Sequence, residues 1–203
     1  MKALNLLIIS LLVVNYACTV KETKPQTSEK TKVVLGIYET IRPDSLPVAL
    51  IDTLTKYGLQ DEKDNKQPAI GYVAKNELPG LLKAASFSTS VKILKTAYTV
   101  DTGHKYFGIV AVGPGFELDN SVIQKAVQVT YGVEIRFNME GAKAWAQVTR
   151  KNTGKTVAFV IDDEIYALPY INAEIRSGVA LIGGLESEEM AKKVAGRLNG
   201  AVD

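Results

Sequence analysis

Three adjacent carboxylates, Asp162, Asp163 and Glu164, are the residues whose types could most directly do chemistry. Neighbouring carboxylates can bind a hard cation or act as a general acid and base. Successive side chains of a strand point to opposite faces, however, so three in a row do not converge on one point. Aspartate also tolerates the left-handed backbone of a tight hairpin. We therefore predict a turn at Asp162-Asp163, between strands at Thr156–Ile161 and Glu164–Ile171.

A second candidate, Gly154-Lys155-Thr156, ends like a phosphate-binding loop. The full motif needs a glycine five residues before the second glycine, and this chain has Thr149 there. It also needs a strand before the loop and a helix after it, because the helix N-terminus holds the phosphate. Here a helical pattern precedes the loop and a strand pattern follows it. No nucleotide partner and no cofactor are predicted.

The chain has one histidine, His104, and one cysteine, Cys18. Gly103 and Lys105 beside the histidine offer no partner for a general base or a metal ligand, so we interpret His104 as a solvated turn residue. One histidine and one cysteine do not make a zinc site. We predict no catalytic, cofactor-binding or metal-binding residues, and no enzyme activity. The competing hypothesis is an envelope enzyme that uses this histidine or the three carboxylates.

The N-terminus has the pattern of a secretory signal peptide over residues 1–17. A basic start precedes an apolar core at Ala3–Val14, which is too short to span a bilayer comfortably. Cys18 follows Ala17 where a bacterial lipobox places its lipidated cysteine, although Asn15 replaces the usual aliphatic residue. We predict lipidation at Cys18. The alternative is a signal peptide that is cut elsewhere, with a coincidental cysteine.

The composition argues against a nucleic-acid partner. The 203 residues carry a formal net charge of +2 and 23% charged side chains, so no electrostatic basis exists for binding nucleic acid.

Residues 18–32 are polar and lack apolar periodicity, which predicts a flexible tether. Thr19 after the cysteine lacks the aspartate-type signal for inner-membrane retention. We expect an exported, membrane-anchored lipoprotein that faces the periplasm, with outer-membrane sorting favoured.

The rest of the chain predicts an α+β fold of two small mixed α/β subdomains, at 33–112 and 117–203. Gly113-Pro114-Gly115 is the turn signal between them, and it lacks the further glycines of a dinucleotide-binding loop. The second subdomain is predicted to be a sheet packed by two helices. Candidate helix caps are Asp44-Ser45, Asn76, Asn138 and Ser187, and a short helical turn is predicted at Leu118–Ile123.

The order of motifs over residues 118–200 resembles the head subdomain of the first periplasmic domain of SecD/SecDF. The resemblance rests on the stretch FNMEGAKAWAQVTRKNTGKTVAFVIDDEIYALPYI, followed by SGVALIGG and LESEEMAKKVAGRLNG. The matching residues are Phe137, Glu140, Gly141, Ala142, Asn152, Gly154, Lys155, Asp162, Pro169, Ile171, Gly178, Gly183, Glu188 and Glu189. Three positions depart from the family pattern: Asp163 replaces a turn glycine, Leu168 an alanine and Leu185 an aromatic residue.

The resemblance implies a role related to protein export. SecD and its partner couple proton flow to export through multiple membrane helices, and no later segment of this chain is apolar enough to be one. We therefore expect a non-enzymatic, lipid-anchored accessory module. Its expected partner is a polypeptide or another envelope protein, including the export machinery, and it contacts the membrane through the lipid. A purely structural spacer is the remaining alternative.

Overall fold

The computed structural model describes residues 35–61, 68–88 and 90–200, and at Asp61 the backbone alone. The predicted signal peptide, Cys18 and the predicted tether lie outside the described residues. The strands are β1 Leu35–Ile41, β2 Gln60–Asp61, β3 Ala69–Ala74, β4 Lys92–Thr99, β5 Tyr106–Val112, β6 Leu118–Asp119, β7 Ile123–Val129, β8 Gly132–Phe137, β9 Val157–Ile161, β10 Glu164–Ala167 and β11 Val179–Gly183. The helices are α1 Val48–Lys56, α2 Leu78–Ala85, α3 Met139–Lys151 and α4 Glu188–Gly200. The predicted mixed α/β fold is confirmed.

Five strands close into a ring in the order β5-β4-β10-β9-β1, because β1 also pairs with β5. Alternate residues of these strands point inwards, as strand geometry requires, and form an apolar interior. The interior residues are Tyr38, Leu94, Val110, Val112, Ala158, Val160 and Ile165. Two seams of the ring are short: β1 and β5 share two residue pairs, and so do β4 and β10.

Two layers cover the outside of the ring. Helices α1 and α2 pack over β3, β4 and β5 through a cluster that includes Leu54, Leu81 and Ile109. On the other side lies a separate antiparallel sheet in the order β11-β8-β7, together with α3 and α4. Trp145 of α3 lies at the centre of this second layer, 5.8 Å from the ring of Phe137 and 5.9 Å from that of Phe159. The second layer is therefore bound to the ring by aromatic packing.

Local sequence signals position both helices of the second layer. The Asn138 side chain accepts a hydrogen bond of 2.8 Å from the Gly141 amide at the start of α3. Gly154, with φ of +80°, follows the end of that helix. The Ser187 hydroxyl accepts a hydrogen bond of 3.1 Å from the Met190 amide at the start of α4. The predicted caps of these two helices are confirmed.

The β9–β10 turn has the predicted left-handed backbone. Asp162 and Asp163 have φ of +48° and +65°, so both central residues are in the conformation that a type I′ turn requires. Strand β10 is shorter than predicted and ends at Ala167 instead of Ile171. Beyond it Pro169, which has no backbone N–H, cannot continue the ladder as a donor. A single bridge between Thr156 and Tyr170 follows.

The first helix, α1, begins later in the chain than predicted. Asp44-Ser45 lies in a separate 3-10 turn, Pro43–Ser45, and α1 begins only at Val48. Pro47 explains the break, because proline disfavours the helical conformation of the residue before it.

Two other predicted helical features also differ. Asn76 does not cap α2, because the N-cap position belongs to Glu77, whose side chain makes no capping hydrogen bond. The helical turn predicted at Leu118–Ile123 is strand β6 followed by a 3-10 turn, Asn120–Val122. The Asp119 carboxylate caps that turn by accepting from the Ser121 amide.

The ring takes strands from both predicted subdomains. β1, β4 and β5 precede Gly113-Pro114-Gly115, and β9 and β10 follow it. The second layer, by contrast, comes entirely from residues after this turn. The division into 33–112 and 117–203 stays a prediction.

Candidate functional site

The three adjacent carboxylates of the β9–β10 turn each pair with a different cationic side chain. Asp163 lies 2.7 Å from Lys92, Glu164 lies 2.5 Å from Lys95, and Asp162 forms an ion pair with Arg197 of α4. The three carboxylates therefore pair with three separate cations and do not converge on one point. Within residues 35–61, 68–88 and 90–200, no group of three or more His, Cys, Asp or Glu side chains could hold a metal ion.

His104 and Lys155 also have local structural roles. His104 has φ of +52°, and its Nδ1 lies 3.0 Å from the Thr99 hydroxyl in an exposed turn. Lys155 binds Glu39 at 3.0 Å, and Lys151 lies 3.2 Å from the same carboxylate. The hydrogen bond from Lys155, followed by that from Lys151, lowers the pKa of Glu39 against the opposing effect of burial.

A depression of about 570 Å³ beside the Asp162-Asp163 turn contains several charged groups. Its two lysines, Lys92 and Lys95, are the partners of carboxylates in the same depression. The third carboxylate of the lining, Asp162, pairs with Arg197 of α4, so each charged side chain of the lining already has a partner of opposite charge.

A second groove, of about 440 Å³, lies between the ring and β11 and has no charged side chain in its lining. It is lined by Thr96, Tyr98, Ile165, Tyr166, Ala167, Leu168, Pro169, Leu181 and Gly183. The Leu181 side chain is 55% exposed, although the two flanking residues of β11, Ala180 and Ile182, are buried. The groove is therefore an apolar surface that is open to solvent.

Tyr98 and Tyr166 form one wall of this groove. Their rings meet edge to face with centroids 6.5 Å apart. The Tyr98 hydroxyl donates a hydrogen bond of 2.7 Å to the Tyr166 carbonyl and lies 3.5 Å from the Gly184 carbonyl. Burial raises the pKa of both phenols above the ordinary value of 10, so the Tyr98 hydroxyl keeps its proton at neutral pH. This wall is neutral and fixed in position.

The opposite wall is the edge strand β11, and part of its backbone is unpaired. In an antiparallel ladder, residues that bond to the partner alternate with residues whose N–H and C=O point away from it. The Phe137 amide donates to the Gly178 carbonyl, so Gly178 belongs to the bonded set and Val179, Leu181 and Gly183 to the outward set. The Trp145 indole donates to the Val179 carbonyl at 3.1 Å. In the described part of the chain, no side chain hydrogen-bonds to the backbone of Leu181.

The other edge of the same sheet is capped by a side chain at Ala126. The same alternation makes the Ala126 backbone of β7 point outwards, because its partner Ile135 bonds to Ala180 of β11. The Asn199 side chain of α4 accepts from the Ala126 amide at 2.8 Å and donates to the Ala126 carbonyl at 2.9 Å. One amide group thus satisfies one outward residue of this sheet completely.

Sequence reasoning did not identify this groove. Tyr166 falls in the predicted strand Glu164–Ile171, where an aromatic residue indicates core as readily as surface. Tyr98, Tyr166 and Leu181 come together only because β4, β10 and β11 lie near one another in the fold. The alternation of polar and apolar residues within a strand does not predict which strands are neighbours. One local signal pointed to the groove. Leu181 lies between two other apolar residues of a strand that has one side facing solvent, so an apolar side chain is expected on that side.

Comparison with known proteins identifies a family for this chain. The family model for the SecDF P1 head subdomain matches residues 99–202, just over half of the chain. The protein translocase subunit SecD of Rhodothermus marinus is 34% identical over 119 residues, which cover 54% of this chain and 19% of that protein. SecDF of Thermus thermophilus is 44% identical over 63 residues, covering 31% of this chain and 9% of that protein.

A solved structure of SecDF, described as a membrane component that enhances protein export, was also found. It aligns with a TM-score of 0.41 and 18% identity over 81% of this chain and 92% of that chain. In the described part of this chain, no helix is both long enough and apolar enough to cross a membrane. Residues 99–202, which the family model matches, include most of the groove lining and all of the second layer. The chain belongs to the SecDF P1 head subdomain family.

Proposed function

We propose that this protein is a non-enzymatic accessory factor of protein export that binds unfolded polypeptide in the groove between Tyr98, Tyr166 and β11. The observation that carries the proposal is the uncharged, open groove beside a strand edge with unpaired backbone groups. An exported chain before folding presents both apolar side chains and an unpaired backbone. Membership in the SecDF head family, whose relatives include protein translocase subunits, supports this assignment.

The proposed location is the periplasmic side of the cell envelope, with a lipid on Cys18 as the anchor. The signal-peptide pattern of residues 1–17 and the cysteine directly after it support this part of the proposal. Replacing the cysteine (Cys18→Ala) should release the protein from the membrane fraction of cells. Unchanged fractionation of the variant would refute the lipid anchor and leave the groove proposal intact.

Binding to a permanently unfolded polypeptide tests the proposed activity. The probe is a reduced, carboxymethylated globular protein, and its native, disulfide-bonded form is the comparison ligand. The protein should bind the unfolded form only. Leu181→Asp should weaken binding about tenfold, because it removes on the order of 1 kcal/mol of apolar contact and places a charge in a neutral groove.

Met139→Asp is the matched control, because Met139 is an exposed apolar residue at the start of α3, outside the groove lining. The control variant should bind like the parent. Equal binding by the parent, Leu181→Asp and Met139→Asp would remove the groove from the proposal. Failure of the parent to bind the unfolded probe would refute polypeptide binding itself.

A further inference from the structure

We infer that the bound polypeptide adds to β11 as a fourth strand of the second-layer sheet, with its apolar side chains in the groove. This inference rests on the proposed function and specifies how the polypeptide is recognised. The open backbone positions are Leu181 and Gly183, which belong to the outward set of β11. An unpaired strand edge with alternating N–H and C=O groups is complementary to another extended backbone.

The capped edge of the same sheet provides an internal template for this pairing. At Ala126 the Asn199 carboxamide supplies one carbonyl acceptor at 2.8 Å and one N–H donor at 2.9 Å. A peptide backbone offers the same two groups, and an extended chain repeats them every second residue, about 6.6–6.8 Å apart. The outward residues Leu181 and Gly183 have the same two-residue spacing on β11. The ligand backbone therefore does at Leu181 what Asn199 does at Ala126.

Contacts at both ends limit the length of the pairing. The Trp145 indole occupies the Val179 carbonyl, and the Tyr98 hydroxyl lies near the Gly184 carbonyl. The open window therefore contains two outward residues, and the ligand can pair with it over about three residues. Since one such hydrogen bond contributes only about 0.5–1.5 kcal/mol, this pairing predicts weak and rapidly exchanging binding.

Strand geometry also determines where the side chains of the hydrogen-bonded ligand residues point. Residues that face each other across a ladder have their side chains on the same face of the sheet. Leu181 exposes its side chain at the groove, so a ligand residue that bonds to the Leu181 backbone also directs its side chain there. The uncharged lining selects an apolar side chain at this position. The inferred ligand is an extended segment with apolar residues at every second position.

Single N-methylation of a peptide separates this mode from side-chain docking alone. The probe is a fluorescent nonapeptide of serine and glycine with leucine at its fourth and sixth positions, which fixes the register. N-methylation of either leucine removes an N–H that pairs with β11 and should weaken binding about tenfold, as measured by fluorescence anisotropy. N-methylation of the residue between the leucines, whose N–H points away from β11, should change the dissociation constant less than twofold.

The remaining outcomes also decide the question. Equal weakening by methylation at all three positions, or no weakening at any, would overturn strand addition. If the unfolded protein probe binds and the unmethylated nonapeptide does not, strand addition at this short window is refuted and polypeptide binding stands. If neither probe binds, both proposals are refuted.

Discussion

The two edges of the second-layer sheet present the same kinds of backbone group and differ in the side chains that bond to them. At the β7 edge, the Asn199 side chain bonds to both backbone groups of Ala126 and fastens α4 to the sheet. At the β11 edge, Leu181 faces a neutral groove, and no side chain among the described residues bonds to its backbone in this way. An open edge risks aggregation, and proteins normally block it. Strand addition at Leu181 would satisfy the kind of backbone groups that Asn199 satisfies at Ala126.

The largest expected effect concerns Trp145, which packs the second layer against the ring. Trp145 is 2% exposed, lies between Phe137 and Phe159, and donates to the Val179 carbonyl of β11. Trp145→Ala should lower the free energy of unfolding by about 3–5 kcal/mol, because it leaves a cavity between the ring and the second layer. Denaturant unfolding measures this loss. A cost below about 1 kcal/mol would contradict the central role of Trp145.

Removing the block on the capped edge should have the next largest effect. Asn199→Ala leaves the buried N–H and C=O of Ala126 without their side-chain partner and should cost about 1–3 kcal/mol. It also makes the β7 edge resemble the β11 edge, so self-association should increase in light scattering. Lys193→Ala, at an exposed position of the same helix, is the control and should be nearly neutral. Unchanged stability and unchanged scattering would show that Asn199 does not block the edge.

A smaller effect is expected at the end of the open edge. Tyr98→Phe removes the hydroxyl that donates to the Tyr166 carbonyl and should cost about 1 kcal/mol of stability. The apolar wall of the groove is retained, so binding of the unfolded probe should change less than twofold. Tyr98→Ala removes the wall as well and should weaken binding clearly. Equal binding by the phenylalanine and alanine variants would exclude the aromatic ring from the site.

The smallest effect lies away from both edges, in the ion pairs of Glu39. The pKa of Glu39 is lowered from its ordinary value of 4.5 in the folded state, chiefly by the hydrogen bond from Lys155. The carboxylate therefore contributes stability above pH 4.5, and this contribution is lost as the pH falls through the folded-state pKa. Lys155→Met should reduce this acid dependence in thermal melts. An identical pH profile for parent and variant would contradict the assignment, while binding in the uncharged groove should be unaffected between pH 6 and 8.

Local chemistry made part of this structure predictable from sequence. Asn138 and Ser187 are caps because their oxygens satisfy free amides within the next few residues, and Asp162-Asp163 is a turn because aspartate tolerates positive φ. Pro47 shows how one local signal can override another, since it moved the start of α1 past Asp44-Ser45.

Features that depend on contacts between residues far apart in the chain could not be predicted from local sequence patterns. The ring closes where Lys95 meets Glu164 and where Thr40 meets Val112, and neither contact has a local signature. Asn199 reads as an ordinary residue near the end of a helix, although it caps an edge 73 residues away in the chain. Both the open and the capped edge are consequences of long-range packing.

Amide hydrogen exchange at two residues, with and without the leucine nonapeptide, tests the comparison of the edges most directly. The Ala126 amide, already bonded to Asn199, should exchange slowly in both samples. The Leu181 amide should exchange rapidly in the free protein and at least about tenfold more slowly at saturating peptide, which corresponds to one new hydrogen bond. Unchanged exchange at Leu181 in the saturated complex would contradict strand addition at the open edge.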